Sequence, residues 1–262
     1  MTAWRTDVTL LPRAGHTLAA AGRLAVELLL PAVCAACEQR LDAGDAGPVC
    51  ARCWIRARAL PYPQCVRCGH PLRPSGQCPW CVLWPPYVRA IRSAYWIPGG
   101  TAGQIVYALK YHGWTRTAHA MAERMARCAW PTDVMEERTA LVPVPLSATR
   151  ARERGFNQSA LLAAALASRW QLPVWSTVLE RTRATRTQTR LTPDARRANV
   201  AGAFRAVETA GAALAGSHPV LVDDVVTTGA TLVACAAALH AAGARIISVI
   251  TFGRAPATGD RP

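Results

Sequence analysis

From Tyr87 onward, short apolar runs alternate with stretches whose apolar residues recur at helical spacing. Residues 91–97 alternate enough for a strand and stop at Pro98-Gly99-Gly100. Residues 102–111 and 115–129 read as helices split by Gly113. Residues 140–144 form a short buried strand, 156–170 a helix with Leu161, Leu162, Ala165 and Leu166 on one face, and 174–179 a strand. Residues 181–199 are basic and Thr-rich, lack any period and read as a loop. An apolar strand at 219–222, a helix at 230–242 and a last strand at 246–252 complete the pattern. This alternation predicts an α/β fold, with a mainly parallel sheet covered on both faces. In such sheets ligands bind beyond the carboxyl ends of the strands.

The first third obeys cysteine spacing instead. Eight of the ten cysteines form four C-x-x-C pairs: Cys34/Cys37, Cys50/Cys53, Cys65/Cys68 and Cys78/Cys81. Two residues between thiols let a tight turn aim both sulfurs at one ion, and two such knuckles make a tetrahedral all-thiolate site that suits Zn²⁺. A disulfide framework is the competing reading, opposed by the want of a credible leader peptide. Cys78-Pro79-Trp80-Cys81 superficially matches a redox active site, but it sits among three other pairs. Sequential pairing is favoured: Cys34, Cys37, Cys50 and Cys53 at one ion, then Cys65, Cys68, Cys78 and Cys81 at the other. Nested and interleaved schemes stay open. The metal is expected to be structural, because such sites leave no position for water and a segment this small needs folding energy. His70 reads as a surface residue, and Cys128 and Cys235 as small core residues. The expected organisation is a helical segment at 1–33, a double zinc ribbon at 34–84 and an α/β domain at 87–256. The stretch Leu83-Trp84-Pro85-Pro86 is read as a stiff linker between the last two.

Charge narrows the partners. Thirty basic against sixteen acidic residues give +14, and Lys110 is the only lysine. Eight zinc-bound thiolates would reduce this to about +10. Residues 141–200 carry ten arginines against Glu153, Glu180 and Asp194, half of the total charge. An anionic partner is expected: phosphate, nucleic acid or a membrane surface. The best apolar run, residues 24–33, contains Glu27 and Pro31 and falls short of the roughly 20 residues of a membrane span. A cytoplasmic protein is expected.

The chemistry concentrates in residues 220–232, VLVDDVVTTGATL. A buried strand ends in two acids, a hydroxyl-rich turn with one glycine follows, and a helix begins. The turn's N–H groups and the helix N-terminus make an anion site. The acid pair would repel phosphate, so its role must differ: carboxylates accept hydrogen bonds from vicinal hydroxyls and can hold Mg²⁺ through water. Ribose and phosphate on one ligand suggest a ribose 5-phosphate group. No G-x-x-x-x-G-K-[ST] sequence is present, which excludes an ordinary P-loop ATPase.

The segment resembles the phosphoribosyl pyrophosphate motif of type I phosphoribosyltransferases. Over residues 28–254 the chain resembles the ComF (GntX-like) family, which joins a zinc ribbon to such a domain. The residues that carry this are Ala108-Leu109-Lys110-Tyr111, Val142-Pro143-Val144-Pro145-Leu146, Arg154-Gly155-Phe156-Asn157-Gln158, Thr187-Gln188, Arg196-Arg197-Ala198-Asn199-Val200 and the acid–threonine segment. The resemblance implies that Asp223 and Asp224 hold the ribose hydroxyls. Val226, Thr227, Thr228, Gly229, Ala230 and Thr231 would wrap the 5-phosphate. Pro145, Leu146 and Ser147 would approach pyrophosphate, and the loop with Gln188 and Arg196 would close over it. Arg150, Arg152 and Arg154 would help to neutralise it. The chain lacks the N-terminal cysteine nucleophile of glutamine-dependent relatives of the fold, so phosphoribosylamine synthesis is not expected.

Two readings follow. One is an enzyme that transfers the phosphoribosyl group with Mg²⁺. The other is a module that senses phosphoribosyl pyrophosphate or a nucleotide while the ribbon touches single-stranded DNA or a competence partner, a role the family's link to natural competence suggests. Trp54 and Trp80 qualify as base-stacking residues, and knuckle packing explains them equally well.

Overall fold

A computed structural model of the chain describes residues 31–45, 47–72, 78–97, 99–183, 200, 202–257 and 260. Residues 1–30 of the helical segment expected at 1–33, residues Gln188, Arg196 and Arg197, and most of the 181–199 loop lie outside them. Strands β1 (Val88–Trp96), β2 (Ala140–Pro143), β5 (Pro219–Val226) and β6 (Ile247–Arg254) form one sheet in the order β1-β6-β5-β2, with every pairing parallel. All eight residues of the central strand β6 are buried, as the apolar run of a strand covered on both faces requires.

Period-two alternation divides the sheet between two cores. Val220, Val222, Ile250 and Phe252 face one side, with Ile105 and Leu109 of α2 (Gly100–Tyr111), Met121 and Met125 of α3 (Thr117–Ala126), and Leu162 and Leu166 of α6 (Gln158–Trp170). Leu221, Ile247 and Val249 face the other, with Leu232, Cys235 and Leu239 of α8 (Ala230–Ala241). Truncating a fully buried leucine such as Leu221 costs about 2–5 kcal/mol. A second, two-stranded sheet pairs β3 (Leu179–Arg181) with β4 (Phe204–Ala206) antiparallel and lies over α8. Its register sets Arg181 opposite Phe204, so the two ends of the long intervening segment leave side by side.

Several expectations shift. β5 extends through the acid pair to Val226, four residues beyond the predicted end. The predicted strand at 174–179 makes only a bridge from Val174 to Leu141, and its last residue opens β3. Four short helices were not anticipated: α1 (Ala51–Arg56), α4 (Thr132–Glu137), α5 (Ala148–Arg154) and α7 (Gly211–Leu214). α5 starts because the Ser147 hydroxyl accepts the Arg150 N–H, and Gly155, at φ 76°, ends it.

The cysteine-rich region packs directly on the outer edge of β1. The Trp96 N–H donates to Arg58 O (2.9 Å), Leu60 N–H to Ala94 O (3.1 Å) and Ile91 N–H to Arg67 O (2.8 Å). These bonds occupy backbone groups that an uncovered edge would offer to another chain. Arg67 spreads its guanidinium over the carbonyls of Cys81, Trp84, Pro85 and Val88. Trp84, in the stretch read as a linker, is buried. His70 is buried too, which corrects its surface reading. Its Nε2 meets Asp260 Oδ1 at 2.9 Å, and its ring lies between Trp80 and Trp96. Cys235 is a core residue as expected, whereas Cys128 is only half-buried.

Candidate functional site

The eight C-x-x-C thiols gather sequentially into two clusters: Cys34, Cys37, Cys50 and Cys53, then Cys65, Cys68, Cys78 and Cys81. Within each cluster the sulfurs lie within 4.8 Å of one another. Closest separations of 3.9 Å (Cys37–Cys50) and 3.3 Å (Cys65–Cys81 and Cys68–Cys78) are far from disulfide lengths and near the spacing of about 3.8 Å that tetrahedral Zn–S bonds impose. The Cys50 and Ala36 N–H groups point at Cys34 Sγ (3.3 and 3.4 Å). Burial raises the Cys34 pKa, but those N–H groups outweigh it and bring the thiol to about 7. A thiol that ionises near neutrality is prepared for a metal. Donor type, number and spacing fit structural zinc at both clusters.

The second centre is a cleft of about 410 Å³ at the carboxyl end of β5. Asp223 and Asp224 lie on its floor, and Val226, Thr227, Gly229, Ala230 and Thr231 form one wall. Pro145, Leu146, Arg150 and Arg154 also line it, with Arg181 from the end of β3. Gly229 is left-handed at φ 77° and immediately precedes α8, so the turn delivers its N–H groups at the helix start. A Cβ on Gly229 would stand 2.6 Å from the Trp84 indole, so the ribbon's last aromatic residue holds this turn from behind. The Thr228 hydroxyl is buried and has no hydrogen-bond partner among the described residues. Neither Thr228 nor Ser147 lines the cleft; Ser147 is occupied in capping α5.

The acid pair is held from two helices, α2 and α6. Asp223 Oδ1 accepts the Ser159 hydroxyl (2.8 Å) and the Asp224 N–H (2.9 Å). Asp224 Oδ1 accepts Gln158 Nε2 (3.3 Å), and its other oxygen pairs with Lys110 of α2. Gln158 and Ser159 are the first residues of α6, placed there because Asn157 caps that helix and donates to Val144 O at the end of β2. Burial, then the neighbouring Asp224 charge, pushes the Asp223 carboxyl up to about 7. Burial works against the Lys110 charge, but Asp224 more than compensates and raises the ammonium above the ordinary lysine value.

The cleft brings together the acid pair, most of the turn, Arg150 and Arg154 as the sequence suggested, whereas Arg152 does not line it. Sequence reading did not assign Lys110, Gln158 or Ser159 to the site, and it gave Arg181 only as the start of the loop over the leaving group. Lys110 carried a signal, as the sole lysine among thirty basic residues. Trp54 packs against Tyr95 and Phe252 beneath Arg124, and Trp80 packs against His70, so knuckle packing accounts for both. No helix among the described residues is long and apolar enough to cross a membrane.

Comparison with known proteins agrees with this geometry. Residues 25–82 match the Double zinc ribbon domain family and residues 157–262 the Phosphoribosyl transferase domain family. The chain is 36% identical over 233 residues to "DNA utilization protein YhgH" of Salmonella typhi and 34% over 230 residues to that of Shigella flexneri. It is 29% identical over 228 residues to "Competence protein F" of Haemophilus influenzae. Each match covers 85% of this chain and 96% of the relative. The likeness thus runs across nearly the whole length of these relatives, and with a double zinc ribbon matched ahead of a phosphoribosyl transferase domain the chain belongs to the ComF family.

Proposed function

We propose that the cleft binds phosphoribosyl pyrophosphate with Mg²⁺ and transfers its phosphoribosyl group. One observation carries this: a buried acid pair on β5 runs straight into a glycine-pinned, hydroxyl-bearing turn that opens α8. The turn's N–H groups and its Thr227 and Thr231 hydroxyls cradle the 5-phosphate. Asp223 and Asp224 accept hydrogen bonds from the ribose hydroxyls, and the ion pair with Lys110 fixes the position of the Asp224 carboxylate for that task. Pro145, Leu146, Arg150 and Arg181 face the pyrophosphate end. Gln188 and Arg196 extend that role from the loop.

The hard carboxylate oxygens suit Mg²⁺, which when bound would neutralise charge on the leaving group. Transfer breaks the bond between C1′ and the pyrophosphate oxygen, whose electron pair departs with pyrophosphate. The acceptor's lone pair forms the new bond and its proton passes to solvent. The positively charged sugar formed on the way is stabilised by fixed charge, so little general-base chemistry is needed. The cytoplasm, where phosphorylated sugars and incoming DNA both occur, is the proposed location.

The relatives' names favour a second reading, in which the same cleft senses phosphoribosyl pyrophosphate or a nucleotide while the protein handles single-stranded DNA or a competence partner. The exposed arginines Arg150 and Arg152 on α5 suit such a strand. Thermal melting separates both readings from no site at all. A ligand at a hundred times its Kd stabilises the fold by about 2.7 kcal/mol. Phosphoribosyl pyrophosphate with Mg²⁺ should raise Tm, and Asp223→Ala with Asp224→Ala should abolish most of the rise. An undiminished rise would place the ligand elsewhere. Pyrophosphate release across a panel of acceptors then distinguishes transfer from sensing. Slowed hydrogen exchange over residues 187–199 on ligand addition would support loop closure, and unchanged exchange there would count against catalysis.

A further inference from the structure

We propose that Tyr107 and Tyr111 form a seat for a flat nitrogen heterocycle of the nucleobase class, joined at C1′ to the ribose on the acid pair. The inference rests on the ribose 5-phosphate reading of the cleft and names what occupies its other end. Tyr107 and Tyr111 lie one turn apart on α2, so their rings share a face, with centroids 4.8 Å apart and planes inclined by 43°. Both are largely exposed, at 54% and 63%, although they line the same cleft as Asp223 and Asp224. Among the described residues of the α/β domain, no other aromatic side chain is left so open. Packing does not account for them, since the opposite face of α2 supplies the core residues Ile105, Ala108 and Leu109.

The seat is wired to the ribose site from both ends. Lys110, between the tyrosines on α2, holds Asp224. The Arg154 guanidinium lies 5.4 Å over the Tyr111 ring and donates to Gln158, which donates to Asp224. Aromatic faces and a guanidinium plane are the groups on which heterocycles stack. An ammonia or aliphatic acceptor would gain nothing from them. Stacking reads the face of a ring and not its edge, so several bases should be accepted.

Calorimetric titration with ribose 5-phosphate and with AMP, GMP, IMP, UMP and CMP tests this, each with Mg²⁺. At least one nucleotide should bind wild-type protein about tenfold tighter than ribose 5-phosphate, the size of one stacking contact. Tyr107→Ala with Tyr111→Ala should erase that difference and leave ribose 5-phosphate binding unchanged, while the double phenylalanine variant should keep it. Tyr111→Ala alone should lose part of it. Nucleotides that bind no better than ribose 5-phosphate, or an advantage that survives both alanines, would overturn the seat and spare the ribose site. Failure of ribose 5-phosphate and phosphoribosyl pyrophosphate to bind at all would remove the ribose reading and the seat with it.

Discussion

The two four-cysteine sites share a ligand set, yet they grip different parts of the α/β domain. The first site touches the helix side: Cys53 O accepts the Thr101 hydroxyl at the start of α2, and Trp54 packs on Phe252 and Tyr95. The second touches the sheet and the phosphate turn. Cys68 O accepts Arg254 Nη2 at the end of β6 (2.6 Å), Gly69 abuts Ile91 O, and the helical turn after Cys78 delivers Trp84 onto Gly229. Equal metal chemistry therefore need not mean equal influence on the cleft. The first site supports the helix that carries Lys110 from three turns away, whereas the second reaches the turn through one indole.

Removing metal should produce the largest effect and test that asymmetry at once. Structural zinc contributes about 10–16 kcal/mol to folding in small zinc-finger peptides. Purified protein should hold close to two zinc ions, and Cys37→Ser and Cys81→Ser should each hold about one. Of the two variants, Cys81→Ser should lose more of the Tm rise given by phosphoribosyl pyrophosphate. Equal losses would erase the distinction between the sites. Trp84→Ala should come next, costing about 3–5 kcal/mol in denaturant unfolding and weakening phosphate ligands while both zinc ions remain. Gly229→Ala should destabilise by about 1–3 kcal/mol, because φ is positive and the new methyl meets the indole. Pairing it with Trp84→Ala should recover part of the binding loss, since the clash is gone.

The last effect concerns pH in the ligand-free protein. The Asp223 carboxyl titrates from 3.8 in open chain to about 7 in the fold. The folded state thus holds its proton longer, and the stability this confers is present below pH 4 and lost as pH rises towards 7. Urea midpoints should fall between pH 5 and pH 8 by more in the wild type than in Asp223→Asn. Equal falls would mean that Asp223 ionises normally.

The sheet strands, the four cysteine pairs and the acid–threonine turn were legible because each is written in a local pattern: apolar runs, two-residue spacing, acids beside hydroxyls and glycine. What stayed hidden depends on distant partners. Lys110 sits in a helical stretch with nothing local to aim it at Asp224, 114 residues on. Leu83-Trp84-Pro85-Pro86 has linker composition, and only the fold shows that Trp84 is buried against Gly229. His70 looked like a surface residue because Asp260, its partner, lies at the other end of the chain. α5 escaped because its apolar face is minimal and none of its residues is buried.

The bond from Arg254 to the Cys68 carbonyl spans 186 residues, almost the whole distance from ribbon to last strand. At translation rates of about 5–20 residues per second, the second knuckle emerges roughly 10–40 s before the arginine that caps it. During that interval its thiols are open to the metal pool, and completion of β6 then closes over Cys68, which is wholly buried in the finished fold. Zinc should therefore enter this site more readily in a growing chain than in a complete one. A chelator should accordingly strip one of the two ions faster from Arg254→Met than from wild-type protein, and leave the other unaffected.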